Sequence, residues 1–257
     1  MAPKAARAFR LLSRHVIIAA VRSLATYIAV SVYVLFAAPI GMLLDTVFGW
    51  NGVLYIFGHG GVRLGLALAG IKVRLAGAEH LPLDRAAVYC ANHQSNIDPP
   101  VLFTSLHSRM HIVYKAEINA IPLLARAFQR GGFVPIERRN KEAAMRSLEA
   151  GARSIRDGNS FLIFPEGTRS KTGELLPFKK GGFLMALKAQ APIVPVAVSG
   201  GTDAMRRGSK IIRPATVSIR VGRPIETAGM EMNDRDALIA RVHQRIEALL
   251  AEGPVVD

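Results

Sequence analysis

His93 and Asp98 are the two side chains in this sequence whose types and spacing best suit catalysis. They lie five positions apart in the run Asn-His-Gln-Ser-Asn-Ile-Asp-Pro-Pro, residues 92–100. With this spacing the loop can fold back, so that the carboxylate accepts a hydrogen bond from one imidazole nitrogen. The other nitrogen is then free to take a proton from a hydroxyl group. The pair therefore predicts a general base with its orienting carboxylate, although a loop histidine and a helix-capping aspartate would show the same spacing.

The flanking residues place this pair at the end of a strand. The apolar run at residues 86–91 has the composition of a buried strand. Pro99 and Pro100 can open a helix, because the first helical positions need no backbone N–H. Since ligands gather at the carboxyl ends of strands in open α/β sheets, His93 and Asp98 are expected at such an edge.

A second apolar run, residues 161–164, ends in the same way, at the sequence Pro-Glu-Gly-Thr-Arg-Ser. Gly167 allows the backbone to approach a ligand closely, and Arg169 offers a planar fork of donors for a phosphate group. Taken by itself, the tetrapeptide Glu-Gly-Thr-Arg could also form a simple turn with a surface ion pair.

Together, Asn-His-x-Ser-x-x-Asp and Phe-Pro-Glu-Gly-Thr-Arg resemble the glycerolipid acyltransferase family, most closely the 1-acylglycerol-3-phosphate acyltransferases. The resemblance extends over residues 75–221. It implies transfer of a fatty acyl group from a thioester of coenzyme A or acyl carrier protein to the free hydroxyl of 1-acyl-sn-glycerol 3-phosphate, forming phosphatidic acid. The alternative acceptors are glycerol 3-phosphate, another lysophospholipid or a lyso-aminolipid. A non-catalytic membrane lipid-binding protein is the remote alternative.

The resemblance also assigns roles to individual residues. His93 and Asp98 form the catalytic base, and the remaining residues bind the acceptor's glycerol phosphate. Residues 132–138 are similar to a block whose arginine contacts the acceptor phosphate, and a Lys-x-Glu stretch supplies a further cation. The implied acceptor-binding residues are Lys115, Arg138, Glu166, Gly167, Thr168 and Arg169.

Direct attack of a hydroxyl on a thioester needs no enzyme-bound acyl group and no cofactor. Ser95 lacks the Gly-x-Ser-x-Gly context of a nucleophile elbow. No second histidine lies at ligand spacing from His93, and we expect no metal. Cys90 is the single cysteine, so an internal disulfide is excluded, and it suits a small apolar position in a buried strand.

Composition limits the classes of partner. The chain has 257 residues and a net charge of +14, which calls for an anionic partner. Aromatic residues make up only 7% of the chain and no nucleic-acid motif is present, so nucleic acid is not expected. The mean hydropathy of +0.25 instead favours a membrane surface or a phosphorylated lipid.

Residues 1–70 are expected to form a basic leader and a membrane-associated helical hairpin. The uncharged run 23–44 would reach about 33 Å as a helix, enough to cross a hydrocarbon core of about 30 Å. It is too long for a cleaved signal peptide. The stretch 47–70 contains Arg63, which opposes a second full span. We therefore predict a hairpin embedded in the cytoplasmic leaflet, with two full spans or a buried core helix pair as alternatives.

Residues 71–257 are expected to form the acyltransferase domain. Apolar runs of strand length alternate with amphipathic segments of helix length, for example 111–115 followed by 118–128, and 161–164 followed by 180–189. This alternation predicts an α/β fold with a mixed, mainly parallel sheet flanked by helices. Pro135 marks the strand at 133–136 as an edge strand or a bulge.

Overall fold

The computed structural model describes residues 2–50, 52–136 and 141–256. In these residues seven strands form one mixed sheet of order β1-β7-β6-β2-β5-β3-β4. The strands are β1 (Ile71–Ala76), β2 (Val88–Ala91), β3 (Met110–Lys115), β4 (Val134–Ile136), β5 (Ser160–Ile163), β6 (Ile193–Ser199) and β7 (Ala215–Val221). Neighbouring strands are parallel except for β6 and β7, which are antiparallel. The predicted mixed, mainly parallel sheet is confirmed.

Helices cover both faces of this sheet. They are α1 (Ala2–Phe48), α2 (Val53–Ala69), α3 (Asp98–Ser105), α4 (Pro122–Arg130), α5 (Lys141–Arg156), α6 (Gly181–Ala189), α7 (Gly201–Ala204) and α8 (Arg235–Ala251). In the central strand β2, Tyr89 and Ala91 join a core cluster with α2 and α3. Val88 and Cys90 join the opposite cluster, with α5, α6 and α8. Alternate side chains therefore bury both faces of β2, which explains its continuous apolar sequence.

The first two helices form a hairpin, because α1 ends at Phe48 and α2 begins at Val53, with glycine at positions 49 and 52 between them. Within α1, the segment Val16–Phe48 is long and apolar enough to cross a membrane, and only 6% of its most apolar window is buried in the protein. The hairpin is nevertheless bound to the α/β body. The Ser23 hydroxyl accepts the Ile212 N–H at 2.8 Å, and the Tyr55 hydroxyl donates to the Gly131 carbonyl at 2.6 Å.

The helix expected at 118–128 is divided. Residues Ala116–Ala120 form a 3-10 turn, and α4 begins at Pro122. The proline is placed in the first turn because an interior position would lack a hydrogen-bond donor and clash with the preceding turn. Strand β4, which contains Pro135, lies at one edge of the sheet as predicted.

Candidate active site

The loop between β2 and α3 brings the imidazole of His93 onto the carboxylate of Asp98. The Nδ1 atom of His93 donates to Oδ2 of Asp98 at 2.9 Å. Asp98 is fully buried as the first residue of α3, whereas the His93 side chain remains 16% exposed. Among the described residues, none hydrogen-bonds the opposite nitrogen, Nε2. The ring therefore presents an unoccupied nitrogen to solvent while its other nitrogen is fixed by a buried carboxylate.

Backbone groups of the same loop hold the Asp98 carboxylate. Its Oδ2 atom accepts the N–H groups of Gln94 and Ser95, each at 2.7 Å, in addition to the His93 ring. Three donors to one buried oxygen hold the carboxylate in place and restrict its rotation. The loop closes on itself because an aspartate side chain readily accepts from nearby backbone donors, which is also why this residue type suits a turn.

The other Asp98 oxygen packs against α7. Oδ1 is buried and has no hydrogen-bond partner among the described residues. A Cβ atom at Gly201 would lie only 2.3 Å from it, so no side chain fits at that position. The Ser95 hydroxyl donates to the Met205 carbonyl at 2.7 Å and holds α7 against the loop. Close approach of the two backbones thus requires glycine at 201.

Glu166 connects the two sequence motifs. Its Oε1 accepts the backbone N–H of His93 at 2.6 Å, and its Oε2 accepts the N–H of Leu176 at 3.1 Å. Burial raises the pKa of this carboxyl, and these two backbone donors partly oppose the shift. Glu166 lies 3% exposed beneath the loop, so its observed contacts are structural rather than to solvent.

The rest of the second motif surrounds the histidine. The His93 ring stacks on Phe164, with ring centroids 4.2 Å apart. Gly167 has a φ of +67°, a conformation that favours glycine. Thr168 is exposed, and Arg169 is partly exposed with no side-chain hydrogen bond to the described residues. The predicted glycerol-phosphate motif therefore lies beside the dyad, with its cation available to a ligand.

Two further predicted residues are less fully described. Lys115 is the last residue of β3, two strands away from β2 in the sheet. Arg138 lies outside the described residues, although the strand β4 leading to it, Val134–Ile136, pairs in parallel with β3. The carboxyl ends of β2, β3, β4 and β5 thus lie along one edge of the sheet, as parallel strands require.

The sequence patterns did not identify Asn92 and Gly201 as part of the site. The Asn92 side chain bridges to Val198 of β6, donating to its carbonyl at 2.9 Å and accepting its N–H at 2.7 Å. This bridge continues the pairing of β2 with β6 beyond the end of β2 and fixes where the histidine loop begins. The one sequence signal for the close approach of Gly201 to Asp98 was the pair of glycines at 200–201, directly after a strand.

An apolar cavity of about 450 Å³ opens between the hairpin and helices α3 and α4. Ile97, Pro99 and Pro100 form part of its lining, so the cavity reaches the loop that carries the dyad. The remaining lining is almost entirely aliphatic and aromatic, which suits a hydrocarbon chain. No group of three or more histidine, cysteine, aspartate or glutamate side chains in the described part of the chain could hold a metal ion, and metal-free chemistry stays a prediction.

Comparisons with known proteins concern the family and the fold. A sequence model of the family described as Acyltransferase matches residues 72–199. The crystal structure of the 1-acyl-sn-glycerophosphate acyltransferase from Thermotoga maritima has a similar fold, with a TM-score of 0.80, 22% identity, and coverage of 93% of this chain and 98% of that chain.

Curated relatives are more similar in sequence. A 1-acyl-sn-glycerol-3-phosphate acyltransferase of Limnanthes douglasii is 33% identical over 73% of this chain and 66% of its own length. The human 1-acyl-sn-glycerol-3-phosphate acyltransferase beta is 33% identical over 68% of this chain and 63% of its own. The match spans just under two thirds of these relatives. On this similarity, and on the motifs that the fold brings together, the chain belongs to the glycerolipid acyltransferase family.

Proposed function

We propose that this protein transfers a fatty acyl group from an acyl thioester to the free hydroxyl of 1-acyl-sn-glycerol 3-phosphate, forming phosphatidic acid. The observation that carries the proposal is the hydrogen bond from His93 Nδ1 to the buried Asp98 carboxylate, with Nε2 left open beside the Glu-Gly-Thr-Arg loop. Supporting it, curated relatives from plants and human are named as 1-acyl-sn-glycerol-3-phosphate acyltransferases.

In the proposed reaction, Nε2 of His93 takes the proton from the acceptor hydroxyl as its oxygen attacks the thioester carbonyl. Asp98 keeps Nδ1 protonated and stabilises the imidazolium that forms. The tetrahedral intermediate then breaks the carbon–sulfur bond. The thiol leaves with the proton that His93 had accepted, so the base returns to its starting state without an acyl-enzyme.

Positive side chains hold the acceptor phosphate in this proposal. Arg169 belongs to a loop that contacts His93. The Ser170 N–H of this loop donates to the His93 carbonyl at 2.8 Å. Lys115 and Arg138 are the further phosphate contacts that the family resemblance implies. A planar guanidinium recognises phosphate oxygens in pairs, which would fix the hydroxyl near the base.

The apolar cavity between the hairpin and the body is proposed to take a fatty acyl chain. Its lining includes Tyr33 from α1 and Phe128 from α4, and it reaches the dyad loop at Pro99 and Pro100. An acyl chain that enters this cavity leaves water, which favours binding by about 0.8 kcal/mol for each methylene group buried. The hairpin is therefore part of the substrate site as well as a membrane attachment.

Residues 1–70 are proposed as the membrane segment and residues 71–257 as the acyltransferase domain. Exposed apolar side chains follow α1, with Ile17 at 60% and Phe36 at 63% exposure, a surface that water does not favour. The basic residues before them suit anionic headgroups of the cytoplasmic leaflet. Alkaline extraction of isolated membranes checks this placement: the protein should stay in the pellet, and its release would contradict an embedded hairpin.

Purified protein in detergent tests the activity. Wild type and His93→Ala are offered an acyl coenzyme A with either 1-acylglycerol 3-phosphate or glycerol 3-phosphate, and product phospholipid is measured. Loss of a general base typically costs about 10²- to 10⁴-fold in rate. We expect phosphatidic acid from wild type alone, and only from the acylated acceptor.

The other outcomes are equally informative. Equal turnover by both proteins would remove His93 as the base. Use of glycerol 3-phosphate or another lysolipid by wild type would keep the chemistry and change the acceptor. Lipid binding without turnover on any of these acceptors would favour a non-catalytic lipid-binding protein.

A further inference from the structure

A polar cleft of about 600 Å³ lies between the turn after the Glu-Gly-Thr-Arg motif and the segment that begins with α7. One wall is the turn after the Glu-Gly-Thr-Arg motif, with Ser170, Lys171 and Thr172. The opposite wall is formed by α7 and the residues after it. The lining residues from this wall are Thr202, Asp203, Arg206 and Arg207. No large apolar side chain lines this cleft, so it is unsuited to a hydrocarbon chain.

Both walls are bound directly to the dyad loop. The Gln94 side chain donates to the Gly173 carbonyl at 3.3 Å on the first wall. The Ser95 hydroxyl donates to the Met205 carbonyl on the second wall at 2.7 Å. Residues 94 and 95 therefore support the polar cleft, whereas residues 97, 99 and 100 of the same loop line the apolar cavity. His93 precedes both groups of residues in this loop.

The cleft has the charge of a phosphate site. Three of its side chains are cationic and one is acidic, so its net charge is positive. The side chains of Lys171 and Arg206 are exposed and make no hydrogen bond or ion pair with any other described residue. Arg207 donates to the Arg169 carbonyl at 2.5 Å, which connects the cleft to the motif beside it. The side chains of Lys171 and Arg206 therefore line open volume without a hydrogen bond or ion pair to the rest of the described protein.

We propose that this cleft binds the nucleotide phosphates of coenzyme A in the acyl donor, an inference that rests on the proposed acyl transfer. An acyl thioester has an apolar chain on one side of its carbonyl and a phosphorylated carrier on the other. The dyad loop lines the apolar cavity through residues 97, 99 and 100, and its residues 94 and 95 hydrogen-bond to the walls of the cationic cleft. The acceptor phosphate has its own proposed contacts, Lys115, Arg138 and Arg169, none of which lines the cleft.

The shape favours a nucleotide over a carrier protein. A concave volume of this size lies within the range of small-ligand sites, about 300–1,000 Å³. Binding of a protein through its surface would instead use a broad, flat area of about 800 Å² on each partner. Guanidinium and ammonium groups around a concave site match the 3′-phosphate and diphosphate of coenzyme A.

The test compares two donors that carry the same acyl chain, palmitoyl coenzyme A and palmitoyl pantetheine, which lacks the nucleotide and its phosphates. The variant Lys171→Ala/Arg206→Ala should raise KM for palmitoyl coenzyme A about tenfold or more, because it removes two charge-assisted contacts to phosphate. Its KM for palmitoyl pantetheine and for 1-acylglycerol 3-phosphate should not change. Arg241→Ala, an exposed arginine on α8 that does not line the cleft, is the matched control.

A second measurement uses adenosine 3′,5′-bisphosphate as the probe. It should compete with palmitoyl coenzyme A in wild type and lose about the same factor of affinity in the double variant. An unchanged KM for palmitoyl coenzyme A, or an increase in KM for the lysolipid instead, would overturn the assignment. So would a wild type that uses palmitoyl carrier protein but not palmitoyl coenzyme A. Failure of wild type with every donor would instead refute the proposed acyl transfer.

Discussion

Gly201→Ala is the substitution that most directly tests how the fold positions His93, the proposed base, through Asp98. The new methyl group would lie 2.3 Å from Asp98 Oδ1 and 3.0 Å from the Ser95 Cβ. Ordinary van der Waals contact begins near 3.4 Å. The Asp98 carboxylate and α7 must therefore move apart by about 1 Å, the difference between 3.4 and 2.3 Å. Atoms left overlapping at 2.3 Å would repel each other strongly.

This separation acts on the dyad because Asp98 has little freedom to adjust. Its Oδ2 atom holds three donors, at 2.7, 2.7 and 2.9 Å. Moving α7 instead would break the 2.7 Å hydrogen bond from Ser95 to Met205. A displacement of about 1 Å at a reacting group can cost about 10²-fold in rate. We expect kcat to fall by about this factor, with little change in KM for either substrate.

The assay measures kcat and KM for both substrates in detergent, together with thermal unfolding. Gly181→Ala is the matched control, because its new methyl group would meet Leu148 at 3.5 Å, an ordinary contact. Alanine within a helix is also more favourable than glycine, by about 1 kcal/mol. A folded Gly201→Ala protein with wild-type kcat would refute the argument that this glycine positions the carboxylate.

Three further predictions concern buried groups. Burial lowers the pKa of His111 to about 4. A histidine in the unfolded chain has a pKa of about 6.5, so the unfolded state takes up a proton before the folded state does. The free energy of unfolding should therefore fall as the pH decreases from about 6.5 toward 4. His111→Phe should remove about 3 kcal/mol of this pH dependence, measured by denaturant unfolding at pH 7 and pH 4. Glu166→Gln leaves one of the two N–H groups, of His93 or Leu176, facing an amide donor, which should cost about 1–3 kcal/mol of stability in the same unfolding assay. Cys90 is fully buried and burial raises its thiol pKa, so iodoacetamide should label it only after unfolding, as read by mass spectrometry; labelling of the native protein would contradict the buried position.

Much of the site could be predicted because the residues that form it lie close together in the sequence. His93 and Asp98 lie in one loop, and the hydrogen bond between them closes a short segment of chain. The two strands that end at the motifs are apolar on both faces, so their positions follow from composition alone. The break between the hairpin helices follows from glycine at 49 and 52, and the edge position of β4 follows from Pro135.

The tertiary structure decided the contacts between distant parts of the chain. Glu166, predicted to bind the acceptor, accepts the His93 N–H from 73 positions away, an arrangement that depends on the pairing of β2 with β5. The approach of Gly201 to Asp98 depends on β6 lying on the other side of β2. No periodicity specifies strand order, because periodicity records only which face of an element is buried. The sequence by itself therefore determined the candidate pair His93 and Asp98, the strand ends and the apolar hairpin. Strand order decided which backbone groups surround the pair and where the apolar and cationic cavities open.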